Sequence, residues 1–262
     1  MKVAIRMISI VTALSWIFLL AFTVSAVYSF VKDIRLSFGE IQMPTRLTED
    51  NEMVISMPIT IENTGPFNIG LFNITTEISD EDGFVVTRGN TCVPIIKRNT
   101  VITINHNVTV NITDLFQKGY AFIFNDTTLV LYESASMSIA EILPFRASTN
   151  TTIAWGAPLY NLSLGEPKYL AVNRTHTLIR VPVGFENHAF FDIAGNLTIR
   201  MYSSENTLVE QEQTTIEAPS HTIYNGFAEI YVKSTAISSS GRLEIYLQTS
   251  IITLNLGEIN FG

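Results

Sequence analysis

Soft and charged ligands are scarce in this 262-residue chain, which holds one cysteine, Cys92, four histidines, and charged residues at only 15% of the total. A single cysteine excludes an intramolecular disulfide framework, and no Cys/His set has zinc spacing. Sixteen basic residues stand against 24 acidic ones, a formal charge of -8. No Lys/Arg cluster is present that could track a phosphate backbone, so nucleic acid is excluded as a partner. A G-x-S-x-G elbow, which would present a serine nucleophile, is also missing. What the chain does have is apolar bulk, 47% of its residues, enough to build the core of one large or two small domains.

The longest run without a charge lies near the N-terminus, between Arg6 and Lys32: MISIVTALSWIFLLAFTVSAVYSFV. As a helix, its 25 residues extend about 37 Å, enough to cross a hydrocarbon core of about 30 Å. Residues 7–31 are therefore read as a single transmembrane helix. Residues 1–6, with Lys2 and Arg6, are read as a cytoplasmic N-terminus, and everything beyond the span as extracytoplasmic. The competing reading is a cleaved signal peptide, because Val24-Ser25-Ala26 has the small residues a signal peptidase takes. Either reading exports the rest of the chain. Export agrees with eight Asn-X-Ser/Thr sequons, at Asn73, Asn107, Asn111, Asn125, Asn150, Asn161, Asn173 and Asn196, where chance would supply roughly three or four. These are the candidate glycosylation sites.

Beyond the span the hydrophobic period is two. Ile55, Met57, Ile59 and Ile61 alternate with polar residues, as do Ile179, Val181, Val183 and Phe185, so each stretch buries one face of a sheet. Pro58 and Pro182 fall on the opposite faces, and a proline that cannot donate to a ladder predicts an edge strand or a bulge. The two stretches are copies: PITIENTGPFNIG begins at Pro58 and PVGFENHAFFDIA at Pro182, 124 residues on. ISDEDGFVV, with a hairpin signal at Asp82-Gly83, is matched by YSSENTLVE at the same offset. VITINHNVTVNI matches HTIYNGFAEIYV at an offset read as 120, and LSFGE at Leu36 matches LSLGE at Leu162. The expected organisation is two β modules, 33–158 and 159–262, each with about seven short strands arranged as an antiparallel sandwich, a barrel being the alternative. One helix is expected, in ITDLFQKGYAF, capped by Thr113 or Asp114 and ended by Gly119, and reduced or absent in the second copy.

The alternating strand, the Asn-led turn, FNIGLFNITTEISDEDGFVVTRG, the short helix and TLVLYESASMSIAEILPFRASTNTTIAWGAP together resemble the group-2 late embryogenesis abundant fold, also called the water-stress and hypersensitive-response domain. The resemblance is best over 53–158. Members usually carry Asn-Pro after the first long strand, whereas Asn63 precedes Thr64-Gly65-Pro66 and Asn187 precedes His188. The resemblance implies Greek-key sandwiches like fibronectin type III domains, an N-terminal anchor, a stress-related role, and no catalytic residues.

The remaining candidates read as structural. Glu62 and Glu186 belong to different modules and cannot act as a carboxylate pair. His188 reads as a turn residue, Cys92 as a small buried hydrophobe, and Trp155 as core packing. Asp80-Glu81-Asp82 offers three charged side chains without the spacing of a calcium loop and reads as a solvated turn. No catalytic residue, metal site or cofactor is expected. The function expected is that of a non-catalytic, membrane-anchored protein that binds or protects at the cell envelope, its partners being the membrane and an envelope protein or a second copy. The alternative is a structural subunit of a surface layer or filament that donates the apolar segment 242–262 to a neighbour's open sheet edge.

Overall fold

The computed structural model describes residues 2–44, 47–237 and 240–261, with side chains from residue 10 onward. It contains an N-terminal helix followed by fifteen strands in antiparallel sheets. Two compact units divide the chain. One comprises Met1–Met43, Val54–Thr109 and Val130–Thr152; the other comprises Pro44–Met53, Val110–Leu129 and Ile153–Gly262.

In the first unit, helix α1 (Lys2–Asp33) runs without a linker into β1 (Ile34–Phe38). The strands β2 (Glu52–Asn63), β3 (Ile69–Asp80), β4 (Val85–Ile96), β5 (Thr100–Asn111), β6 (Thr127–Ile139) and β7 (Leu143–Trp155) follow. They form a three-stranded sheet, β1-β2-β5, and a four-stranded one, β4-β3-β6-β7. This strand order is that of a fibronectin type III-like Greek key. Ile55, Met57, Ile59 and Ile61 all point inward, so the alternation of β2 burial follows the period-two pattern. Met57, Ile59 and Ile61 meet Ile69, Phe72, Ile74, Ile96 and Met137 from the facing sheet in one apolar cluster.

The second unit repeats the plan. Its strands are β8 (Tyr160–Leu164), β9 (Lys168–Ala171), β10 (His176–Asn187), β11 (Ile193–Ser203), β12 (Leu208–Ala218), β13 (Thr222–Lys233), β14 (Gly241–Thr249) and β15 (Thr253–Phe261). The sheets are β13-β10-β8, with β9 also on β10, and β12-β11-β14-β15. Ile179, Val181, Val183 and Phe185 are buried, as their alternation predicts. This unit also includes α2 (Ile112–Lys118) and α3 (Ala121–Phe124). Gly119 ends α2, as expected, but its N-cap is Asn111, not Thr113 or Asp114. Asn111 Oδ1 accepts from the Asp114 N–H at 2.9 Å, because the helix starts at Ile112, ahead of both expected caps, and the cap must precede the first helical residue. The second copy has only a 3-10 turn, Ser234–Ile237, at the matching place.

Pro58 and Pro182 occupy central strands, not edges. Each lies where its neighbour breaks register. Gly39 N donates to Pro58 O at 2.8 Å and Gly165 N to Pro182 O at 2.9 Å, after which the neighbouring chain leaves the ladder. It returns one residue out of step, at Gln42 opposite Ser56 and at Lys168 opposite Arg180. The missing proline N–H therefore falls where no partner is required. A side chain on Gly39 or Gly165 would sit within 3 Å of the proline ring, which explains the glycine in LSFGE and LSLGE.

The offset between copies falls along the chain. It is 124 at Asn63/Asn187, 123 at the hairpin turns, where Gly83 (φ 84°) matches Asn206 (φ 62°), and 122 at Asn99 (φ 53°) and His221 (φ 56°). The value of 120 read for β5 and β13 is two residues out. A two-residue slip leaves every side chain on the same face, so strand periodicity does not detect it.

Candidate functional site

A charged and polar cluster centred on His188 is built from the second unit. His188, just after β10, places Nδ1 2.8 Å from Asp126 Oδ2 and Nε2 3.0 Å from Glu186 Oε2. Its ring stacks on Tyr160, with centroids 4.4 Å apart. Asn161 Nδ2 donates to Glu186 Oε1 at 3.1 Å, and the Ala157 N–H donates to Asp126 Oδ1 at 2.8 Å. The hydrogen bond to Asp126, followed by that to Glu186, holds the imidazole above its ordinary 6.5. Glu186 is lowered, first by Asn161 and then by His188. Burial pushes Asp126 up, but the Ala157 N–H and His188 outweigh it and leave it lowered. Both ring nitrogens thus face carboxylates, which suits an imidazolium donating twice and leaves neither nitrogen available as a base. The cluster is a clasp tying the loop after α3 to the end of β10. The role of Asp126 was invisible in the sequence, since 62 residues separate it from His188.

Trp155 is the packing centre beside it, as expected. It is buried, its Nε1 donates to Phe122 O at 2.8 Å, and the rings of Phe116, Phe122, Phe190 and Phe191 surround it.

His106 is the buried histidine of the first unit, its ring nitrogens 2.9 Å from Thr76 Oγ1 and 2.8 Å from Thr91 Oγ1. Burial pushes it below 6.5, so it is held neutral. Cys92 is exposed, not buried; β4 turns Val93 inward, and the neighbouring cysteine must point out. Asp80 ends its strand by accepting from the Phe84 N–H at 2.8 Å, a capped turn. Among the described residues, no group of three or more His, Cys, Asp or Glu is placed to hold a metal ion.

The structure scatters the sequons. Asn107, Asn125, Asn150, Asn161 and Asn173 are exposed, whereas Asn73, Asn111 and Asn196 are half-buried. In β5, Asn105 and Asn107 point out while His106, Val108 and Val110 point in, as the alternation requires. Asn107 and Asn111 are engaged through Oδ1, accepting from Ser56 Oγ and the Asp114 N–H, not through the nitrogen that carries a glycan. Asn161 and Asn173 use that nitrogen, toward Glu186 and Tyr231.

No family model matches the chain, and no curated protein matches it. Solved structures that resemble it include the ApaA protein from Bordetella pertussis, 11% identical over 48% of this chain and 94% of that one, TM-score 0.31. Another is β-glucuronidase 2 of Bacteroides uniformis, a calcium-binding mutant, 12% identical over 82% of this chain and 27% of that one, TM-score 0.31. A glycoside hydrolase family 2 β-glucuronidase matches at 11% identity over 85% and 25%, TM-score 0.32. At these scores the likenesses carry no argument about activity.

Proposed function

We propose that the chain is a non-catalytic protein anchored in the cell membrane by α1, with its two sandwiches outside, where they bind or protect at the envelope. The observation that carries this reading is the apolar helix: within Ile10–Asp33 an 18-residue stretch has a mean hydropathy of 2.2 and is only 6% buried, an arrangement unfavourable in water and suited to lipid. Orientation rests on Lys2 and Arg6, whose side chains lie outside the described residues. The double engagement of His188 and the burial of His106 support the absence of catalysis. The stress-related role comes from the resemblance to the water-stress domain, and the Greek-key topology agrees with it. The experiment is fractionation of expressing cells. The full chain should stay with membranes at alkaline pH and lose its sandwiches to protease added outside; a mature chain beginning at Val27 in the medium would overturn the anchor.

A second reading, a filament or surface-layer subunit, is favoured by β7 and β15, each paired on one side only. The segment 242–262 is already committed, because β14 buries Leu243, Ile245 and Leu247 in its own sheet. Assembly would then use the open edge of β15. Sedimentation at rising concentration decides: growing polymers support this reading, and an unchanging monomer removes it.

A further inference from the structure

One end of the first unit gathers three turns around the base of α1. Asp33 O accepts from the Thr64 N–H at 2.9 Å. Asn63 Nδ2 donates to Lys97 O at 3.2 Å, Arg98 N to Asn68 Oδ1 at 3.1 Å, and Ala140 N to Asn68 O at 2.9 Å. The turns β2–β3, β4–β5 and β6–β7 are thereby tied together beside the helix.

The last turns of α1 are packed against this end. Ala26 and Ser29 are buried, Phe30 stacks on Phe145 with centroids 4.3 Å apart, and Phe22 meets Phe67 edge-on at 5.7 Å. Crossing about 30 Å of hydrocarbon takes about 20 helical residues. Counted outward from Arg6, that span ends near Ala26. Phe22 is four residues back, about 6 Å inside the boundary at 1.5 Å per residue. Phe67 must then lie at or below the hydrocarbon surface with it, and any helix tilt carries it deeper.

The side chains on this end suit that position. Leu71 is 68% exposed, Ile95 52%, Val101 62% and Ile142 68%, with Lys97 and Arg98 between them at the β4–β5 turn. The second copy serves as an internal control for what the fold itself needs. At its matching positions Ile95 is replaced by Glu217, Lys97 by Pro219 and Arg98 by Ser220, and Leu71 has no counterpart, while Val101 and Ile142 keep apolar matches, Ile223 and Ile252. The fold therefore does not require exposed apolar and basic residues here, and most of them occur only in the copy that carries the helix.

We propose that the α1-bearing end of the first sandwich is a lipid-docking surface, with Leu71, Ile95, Val101 and Ile142 entering the interfacial layer and Lys97 and Arg98 meeting anionic headgroups. The inference rests on the anchored reading above. Its consequence is that the first sandwich is held on the bilayer instead of swinging from its anchor. Acidic Glu141 shares the β6–β7 turn and sets a limit on the electrostatic share.

The test uses the full chain with Cys92→Ser, reconstituted in phosphatidylcholine vesicles with and without phosphatidylglycerol. An environment-sensitive fluorophore is placed, one site at a time, through Leu71→Cys, Ile142→Cys, Leu14→Cys within the helix, and Phe84→Cys at the opposite hairpin. Nitroxide-labelled lipid should quench the probes at 14, 71 and 142 and spare that at 84. Lys97→Glu with Arg98→Glu should cut the quenching at 71 in phosphatidylglycerol vesicles severalfold. If 14 is quenched while 71 and 142 behave like 84, the anchor stands and the docking proposal falls. If 14 is not quenched, the anchored reading falls and the proposal with it. Probes at 71 and 142 that shift to the blue without quenching would mean a protein surface covers them, which also overturns the proposal.

Discussion

An amide buried at the same place in both sandwiches holds three backbone carbonyls. Asn63 Nδ2 donates to Phe67 O, Lys97 O and, at 3.5 Å, Ile96 O, while its Oδ1 accepts from the Gly65 N–H. Asn187 does the same with Phe191, Pro219, Ala218 and the Ala189 N–H. Only a side chain with donor and acceptor on one carbon can serve both sets, which is why Asn recurs although the residues after it differ. Asn187→Asp keeps the shape but turns an acceptor toward those carbonyls, and should cost on the order of 3 kcal/mol or more. Chemical denaturation checks this; a loss below about 1 kcal/mol would show the clasp to be dispensable. The histidines make a second prediction. His188 has a raised value, so its stabilisation is fully present below 6.5 and is lost as pH rises through its folded value. His106 has a depressed value; the unfolded state binds the proton first, so stability is full above 6.5 and falls as pH drops below it. His106→Gln should flatten the stability profile below 6.5, and His188→Gln the profile just above 6.5. Denaturation curves across pH separate the two, and an unchanged acid slope in H106Q would refute the assignment.

At the scale of one strand, Leu71 shows how the copies diverged. It has φ 50° near the start of β3, opposite Pro94, and the ladder pairs Gly70 with Ile95 and Phe72 with Val93 while skipping it. Burial falls on the adjacent Ile69 and Gly70 and then on Phe72, where an uninterrupted strand would alternate. In β11 the pairing runs through without such a break. One extra residue in β3 and one in β4 account for the fall in offset from 124 to 122. A leucine at positive φ is strained, and asparagine tolerates that region better. Leu71→Asn should therefore raise stability in the absence of lipid by about 0.5–1 kcal/mol, read as a higher midpoint in urea; a fall would mean that the leucine packs against something the fold needs.

Across the whole chain, the duplicated cores predict matching sensitivities. Ile61→Ala and Phe185→Ala each remove a fully buried side chain of a central strand and should each cost about 2–5 kcal/mol, measured by denaturant unfolding. With charged residues at 15%, solubility outside the cell would rest on neutral polar side chains such as those of Asn105, Asn107 and Thr109, which face out from β5. If the chain is exported and its sequons are glycosylated, protein from its native host should weigh more than the bare 29.2 kDa chain; the bare mass, less any processed segment, would remove the glycan reading and leave the sandwiches untouched.

The sequence by itself determined the helix, the strands and the duplication, because each rests on short-range regularities: a charge-free run of helical length, apolar residues at every second position, and matching turns. It also determined which way β2, β5 and β10 face, since alternation admits one inward set. Tertiary structure decided what those regularities cannot encode. A two-residue slip in β5 is silent to periodicity, so only the carbonyls around Asn63 and Asn187 set the true offset. Cys92 is exposed because its neighbour Val93 packs inward from β4, and His188 became an ionic clasp only when folding brought Asp126 to it from 62 residues away. The turns gathered at the base of α1 come from three hairpins distant in sequence, and only the Greek key places them at one end.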